Sequence, residues 1–395
     1  MIPLRARTAH SNVTDSLERH VWMLTGAHAL TGQRRGRAYI VEPNELPPEG
    51  FGLYLTRPGH RLDDPDLLSV EIPEPLGYLT AGDVVRLSGD AAWLCVLWRH
   101  ASRQNSVLLT ERCDNYCLMC SQPPKDAIDD WLLADACELV RLLPPETEQF
   151  IITGGEPTLY GDGLIGLLRL CTTLIPRAGI HVLSNGRRFS DPTFAATWAS
   201  IENLGLMVGI PIYGAEASLH NYVVQADGAF DETVRGIMNL AQLEQRVEIR
   251  VVIHKQTAPA LVEIAEFIAR NLPFVEQVAL MGLETTGFAR ANLDTIWIDP
   301  VEYAAELTEA ALLLDHAGIR TMIYNHQLCV IEPQAWSYAV KSISDWKNEY
   351  HEECETCAVL EQCGGFFHSA KYRMSDHIRA IPPTHVQAST EWLSP

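Results

Sequence analysis

The chain has 395 residues, 47% of them hydrophobic and 20% charged, which suits a folded protein with one main unit and smaller appendages and argues against large-scale disorder. Its formal net charge of -20, with no local stripe of Lys and Arg, disfavours a nucleic-acid partner. No stretch is long and apolar enough to span a bilayer, and the first twenty residues, with Arg5, Arg7, Asp15, Glu18 and Arg19, lack the apolar segment of a signal peptide or anchor; no membrane partner and a cytoplasmic location are expected.

Up to about Ser102 the texture is short and β-like, with candidate strands at 39–41, 51–56, 68–72, 83–87 and 92–99. Turn signals separate them: Pro47-Pro48-Glu49-Gly50, Pro58-Gly59 and Gly89-Asp90 supply fixed or positive φ where the chain must reverse. A small antiparallel accessory domain over 1–102 is the expectation. From Ser106 apolar strands alternate with longer amphipathic segments, the pattern of βα units around a parallel sheet. Six strands are expected, at 106–110, 149–153, 181–184, 205–211, 248–253 and 277–281, so the fold class is α/β with a full or partial barrel over 103–323. Helices fit 127–142, 163–174, 191–198, 231–243 and 258–270, and another should start at Asp299-Pro300, where Asp can cap and Pro fits the first turn. After Ile323 the βα rhythm stops and a cysteine-containing tail, 324–395, begins.

Ten cysteines could mean disulfides, but most fall in two tight clusters, and thiolate ligation in a reducing compartment fits better. Cys95, Cys137 and Cys171 stand outside the clusters in apolar runs and read as buried packing residues.

Cys113, Cys117 and Cys120 form a CxxxCxxC loop directly after the apolar run Val107-Leu108-Leu109-Thr110, at a strand's C-terminal end, where ligands gather in parallel α/β architectures. A cubane iron-sulfur cluster usually takes four thiolates, so a local set of three leaves one iron open. The amino and carboxylate groups of S-adenosylmethionine (SAM) could chelate that iron. A zinc site with a fourth ligand elsewhere is the structural alternative. The whole phrase Arg112-Cys113-Asp114-Asn115-Tyr116-Cys117-Leu118-Met119-Cys120 resembles the radical SAM signature, with Tyr116 read as its aromatic residue.

The next expected strand ends in Ile151-Ile152-Thr153-Gly154-Gly155-Glu156-Pro157, a buried strand, a glycine turn and a helix start. Its glycines leave room for a ligand to approach the backbone, and Glu156 would stand beside the open iron. In the radical SAM family such a Gly-Gly-Glu-Pro segment contacts the methionine amino group of SAM; an ordinary βα turn, with Glu156 at the positive helix end, is the alternative. Ser184-Asn185-Gly186 and Gly209-Ile210-Pro211 end the following strands. The resemblance implies SAM contacts for Ser184 and Asn185, which could equally satisfy turn backbone. Arg250, a charge inside the apolar strand 248–253, could pair with the SAM carboxylate or with a buried acid. Glu284 is a substrate-site candidate beyond the sixth strand, and His220 reads as a satisfied loop histidine rather than a catalyst.

Near the C-terminus Cys354, Cys357 and Cys363, with Cys329 upstream, supply four thiolates, a complete cubane shell. The pattern resembles the SPASM and twitch auxiliary-cluster regions of peptide-modifying radical SAM enzymes, though Phe367 stands where the full SPASM pattern has another Cys; one auxiliary [4Fe-4S] cluster is implied, with four-Cys zinc as the alternative. Cys117-Leu118-Met119-Cys120-Ser121-Gln122-Pro123-Pro124, Ser344-Asp345-Trp346-Lys347-Asn348 and Cys363-Gly364-Gly365-Phe366-Phe367 together resemble the His-Xaa-Ser system radical SAM maturase, C type. That resemblance implies a [4Fe-4S] cluster with three Cys ligands, SAM cleaved to a 5'-deoxyadenosyl radical, a precursor peptide as substrate, a companion radical SAM protein and an external electron donor. The β-like N-terminal region could hold part of that peptide. The competing expectations are a radical SAM enzyme acting on a small metabolite, an RNA-modifying one that would need a basic surface, and a non-catalytic zinc module.

Overall fold

The computed structural model describes residues 3–13, 20–26, 34, 36–341 and 349–383. The phrase Ser344 to Asn348 therefore lies outside the described residues.

The N-terminal strands are β1 (Arg5–Arg7), β2 (Val21–Thr25), β3 (Arg37–Val41), β4 (Tyr54–Thr56), β5 (Ser69–Glu71), β6 (Val84–Leu87) and β7 (Trp93–Trp98). They form one sheet in the order β1-β7-β6-β2-β3-β4-β5. The sheet is mixed, which corrects the antiparallel expectation: β1, β7, β6 and β2 pair antiparallel, whereas β2, β3, β4 and β5 pair parallel. Turn residues mark where the chain reverses, but the links between the parallel strands are about a dozen residues long, enough to carry the chain back to the same end of the sheet. Alternation along β2 divides its side chains between two cores. Trp22 and Leu24 pack with Leu53, Leu55 and Val70 inside the N-terminal unit; Val21 and Met23, with Val84 and Trp98, join the main core beside Ala136 and Leu139.

The second sheet is wholly parallel: β8 (Ser106–Leu108), β9 (Gln149–Thr153), β10 (Gly179–Leu183), β11 (Leu206–Pro211), β12 (Arg246–Ile253), β13 (Gln277–Gly282) and β14 (Arg320–Tyr324), each beside its predecessor. All six expected strands are present and β14 is a seventh, so this is a partial barrel open between β8 and β14. Helices α1 (Asp130–Leu142), α2 (Asp162–Leu174), α3 (Pro192–Ala199), α4 (Ala217–Val224), α5 (Ala229–Gln242), α6 (Leu261–Asn271), α7 (Gly287–Ala291), α8 (Leu293–Ile296) and α9 (Ala304–His316) connect the strands. Asp191 caps α3, accepting from the Thr193 N–H at 2.9 Å with Pro192 behind it, whereas the capping box of Asp299 and Glu302 around Pro300 closes a 3-10 turn, Pro300–Glu302, and the helix expected there begins only at Ala304. Gly236 of α5 is required because a Cβ there would meet the Gly186 carbonyl at 2.4 Å, which lets the helix press onto the end of β10. Cys171 is fully buried, while Cys95 and Cys137 are only partly buried. Among the described residues no helix is long and apolar enough to cross a membrane.

Candidate active site

The CxxxCxxC loop leaves β8 and is clamped from several elements. Buried Asp129 accepts from the Thr110 hydroxyl at 2.8 Å and the Glu111 N–H at 2.6 Å, and the Arg112 guanidinium lies 3.1 Å from its other oxygen. The Tyr116 and Leu118 N–H groups donate to the carbonyls of Val224 and Val223 at the end of α4, at 3.0 and 2.9 Å. On the other flank the Phe288 N–H donates to the Cys120 carbonyl and the Asn292 amide to the Leu118 carbonyl, both at 2.8 Å. Arg187 Nη1 donates to the Asp114 carbonyl and to Asn115 Oδ1, each at 2.9 Å, while its Nε sits 2.6 Å from Glu232.

Glycines at the end of β9 serve this clamp, not only a ligand. The Gly155 and Glu156 N–H groups donate to the Thr110 and Arg112 carbonyls at 2.7 Å, and a Cβ on Gly155 would lie 2.1 Å from the Arg112 oxygen. The sequence reading placed Glu156 beside the open iron; its carboxylate is instead buried in the turn, accepting from the Thr158 N–H and hydroxyl at 2.9 and 2.6 Å, from Ser184 Oγ at 2.8 Å and from the Asn185 N–H at 2.6 Å. A short turn rich in hydroxyls and N–H groups draws the carboxylate inward, where burial pushes it above the usual carboxylate range and the hydrogen bonds from Thr158, Asn185 and Ser184 offset that only in part. Pro157 is buried at the start of a 3-10 turn and does not line the cavity.

At the C-terminal ends of the strands lies a cavity of about 400 Å³. Its wall carries Cys113, Cys117 and Cys120, the backbone of Gly154 and Gly155, Ser184 and Asn185, Arg250 and Glu284. Tyr116 is absent from that wall and 54% exposed; buried Met119 lines it instead. Position before a cysteine does not fix side-chain direction on a loop. Ser184 and Asn185 touch the cavity with their side chains already engaged, Ser184 with Glu156 and Asn185 with Asp114 at 2.6 Å. Arg250 pairs with buried Glu248 at 2.5 Å, the buried acid of the ion-pair reading, and it also lines the cavity. His220 is buried away from the wall, its Nδ1 accepting from the Tyr213 N–H at 3.2 Å.

Burial raises all three loop thiols, Cys113 to about 12, and Cys113 and Cys120 push Cys117 up further as like charges. Three desolvated sulfurs on one loop become thiolates together only when a cationic core compensates them, which fits an iron-sulfur cluster. In the tail Cys329, Cys354, Cys357 and Cys363 all border one small cavity with Leu328, Val359 and Ile381. Among the described residues no three His, Cys, Asp or Glu side chains gather closely enough to hold a single metal ion. The tail also reaches the large cavity, through Asn325 and Phe367. Sequence reasoning passed over Asn325, Met119, Tyr213 and Arg187; only an arginine one residue past a Ser-Asn-Gly turn hinted at the last.

The sequence model of the radical SAM superfamily matches residues 107–268, which contain both the CxxxCxxC loop and the Gly-Gly-Glu-Pro turn. No curated protein matches the chain. Similar solved structures include SuiB of Streptococcus suis (16% identity, 55% of this chain and 48% of SuiB, TM-score 0.44) and its SAM-bound form (15%, 62% and 54%, 0.46). Another is anSMEcpe with bound AdoMet (13% identity, 72% of this chain and 94% of that one, TM-score 0.49). The chain spans about half the length of SuiB.

Proposed function

We propose that the chain, whose residues 107–268 match the radical SAM superfamily, is an enzyme that modifies a ribosomally made precursor peptide after translation. The observation that carries this reading is the 400 Å³ cavity, whose wall joins the three loop thiols to the glycine turn of β9 and to the tail residues Asn325 and Phe367. Cys113, Cys117 and Cys120 would hold a [4Fe-4S] cluster with an open iron. When bound, that cluster and SAM supply one-electron cleavage to methionine and a 5'-deoxyadenosyl radical, the hydrogen-abstracting agent. The chain's own part is positional. Gly154 and Gly155 offer backbone at the strand end, Ser184 and Asn185 shape the next turn, Arg250 presents a cation to a carboxylate, and Glu156 fixes the turn from inside. Met119 and Tyr213 close the apolar side against water.

Cys329, Cys354, Cys357 and Cys363 are proposed to bind one auxiliary [4Fe-4S] cluster, which supports the peptide reading through the tail's likeness to SPASM and twitch regions. The finer proposal is a His-Xaa-Ser repeat peptide, with a companion radical SAM protein and an external electron donor. Residues 1–102 would hold part of the peptide; in support, a groove of about 360 Å³ lined by Arg5, Trp93, Trp131 and Leu108 runs between the N-terminal sheet, β8 and α1. The test is mass spectrometry of a His-Xaa-Ser repeat peptide incubated anaerobically with reconstituted enzyme, SAM and reductant. A SAM-dependent mass change is expected, with a higher KM in Trp93→Ala. Formation of 5'-deoxyadenosine beside an unaltered peptide would remove this substrate class.

A further inference from the structure

Arg250 leaves β12 and leans across β11: a Cβ on Gly209 would sit 3.0 Å from its Cδ, so glycine at that position keeps the lane open. Its Nη1 donates to Glu248 Oε1 at 2.5 Å, whereas its Nη2 meets the thioether sulfur of Met281 at 3.1 Å, a weak acceptor. Glu248 is itself fixed, because its other oxygen accepts from the Gln277 amide. His181 Nε2 lies 3.7 Å from the oxygen that Arg250 uses, but burial lowers that imidazole to about 4. Near neutral pH it carries no charge with which to compete for Glu248. The guanidinium is thus held in one place while one side of its fork stays available to the cavity it lines.

The end of β11 supplies a second donor beside it. The register pairs Pro211 with Arg250, the Ile212 N–H donates to the Arg250 carbonyl at 3.1 Å, and Tyr213 follows. Its ring is packed against His220 and His254, with centroids 5.9 and 6.4 Å away, and it lines the same cavity. Among the described residues the Tyr213 hydroxyl has no hydrogen-bond partner, and it is not sealed from solvent, so it opens onto that cavity. Burial raises the phenol well above its ordinary value, so it stays an O–H donor; the fields of Cys117, Arg250 and Cys120 all reach it, which sets it between the cysteine loop and the guanidinium. Ser184 and Asn185, the other polar side chains at these strand ends, are already engaged with Glu156 and Asp114.

We propose that the Tyr213 hydroxyl and the available side of the Arg250 guanidinium clasp one carboxylate, that of the methionine end of SAM, with Glu248 as the positioning residue that aims Arg250. Two donors converging from neighbouring strand ends suit a group that accepts at two oxygens. The inference rests on the radical SAM reading of the cavity and not on the peptide substrate. It adds Tyr213 and Glu248 to the residues that select the cofactor.

The test measures binding rather than turnover. Anaerobic equilibrium dialysis gives the dissociation constants of SAM and of decarboxylated SAM, which lacks the carboxylate alone. Reconstituted wild type, Tyr213→Phe and Glu248→Gln are compared. Iron per chain is checked first, and a variant that fails to take up iron leaves the decision to the other. Each variant should bind SAM about tenfold more weakly and decarboxylated SAM as the wild type does. Unchanged SAM affinity, or an equal loss for both compounds, overturns the clasp. So does a loss confined to peptide affinity, which would assign the carboxylate to the substrate. The two readings fail separately: iron-loaded wild type that binds no SAM removes the radical SAM reading, whereas SAM binding indifferent to Tyr213 and Glu248 removes the clasp alone.

Discussion

A single methyl group at Gly155 would come within 2.1 Å of the Arg112 carbonyl, inside any van der Waals contact and against backbone that carries Cys113 on its next residue. Gly155→Ala should therefore displace the loop, costing about 1–3 kcal/mol of stability and most of the iron held after reconstitution. Urea denaturation and iron per chain check this, and full iron retention would contradict it. A second residue-scale effect is set by buried imidazoles. Burial lowers His220, His254 and His326 to about 4, below the ordinary value near 6.5. The folded chain thus refuses protons that the unfolded chain accepts, so stability from these groups is full above about pH 6.5 and is lost as pH falls toward 4. The melting temperature should drop by several degrees across that window, and a flat profile would count against it. At this scale the loop thiols were legible because residue type and spacing alone define three sulfurs on one turn. The direction of Tyr116 and the inward bend of Glu156 were not, since both depend on partners such as Val224, Thr158 and Ser184 that only the fold brings near.

At the scale of elements, apolar runs such as Val251-Val252-Ile253 announced the parallel strands, and the turn after each announced a helix. β14 escaped because Arg320–Tyr324 is short and follows a helix directly into cysteine-bearing sequence, so the change of texture looked like the end of the barrel. The short helices α4 and α7 were also missed; eight and five residues of periodicity carry little signal, yet they hold the cysteine loop. Asp299 was legible as a cap, but not its second duty. Its carboxylate also accepts from Ser375 Oγ at 2.7 Å and the Asp376 N–H at 3.2 Å, tying the 3-10 turn before α9 to the tail. Asp299→Ala should cost about 1–2 kcal/mol and expose the tail to protease before the barrel. Equal proteolytic resistance in the variant would show that the tail is held by other contacts.

For the molecule as a whole, the N-terminal sheet and the barrel share one continuous core through Val21, Met23, Val84 and Trp98, so a cut at residue 102 would open that core rather than release a free-standing unit. The tail closes over the barrel mouth through Thr285 and Ser369, bringing Phe367 to the large cavity and four cysteines to a neighbouring one. Barrel and tail thus converge on one opening, and the chemistry there depends on the loop sulfurs. The most direct measurement is the 5'-deoxyadenosine formed by anaerobically reconstituted protein given SAM and a reductant, comparing the wild type with Cys117→Ala. Release from the wild type and none above background from the variant is the expected result; equal release from both, or none from iron-loaded wild type, would contradict the account.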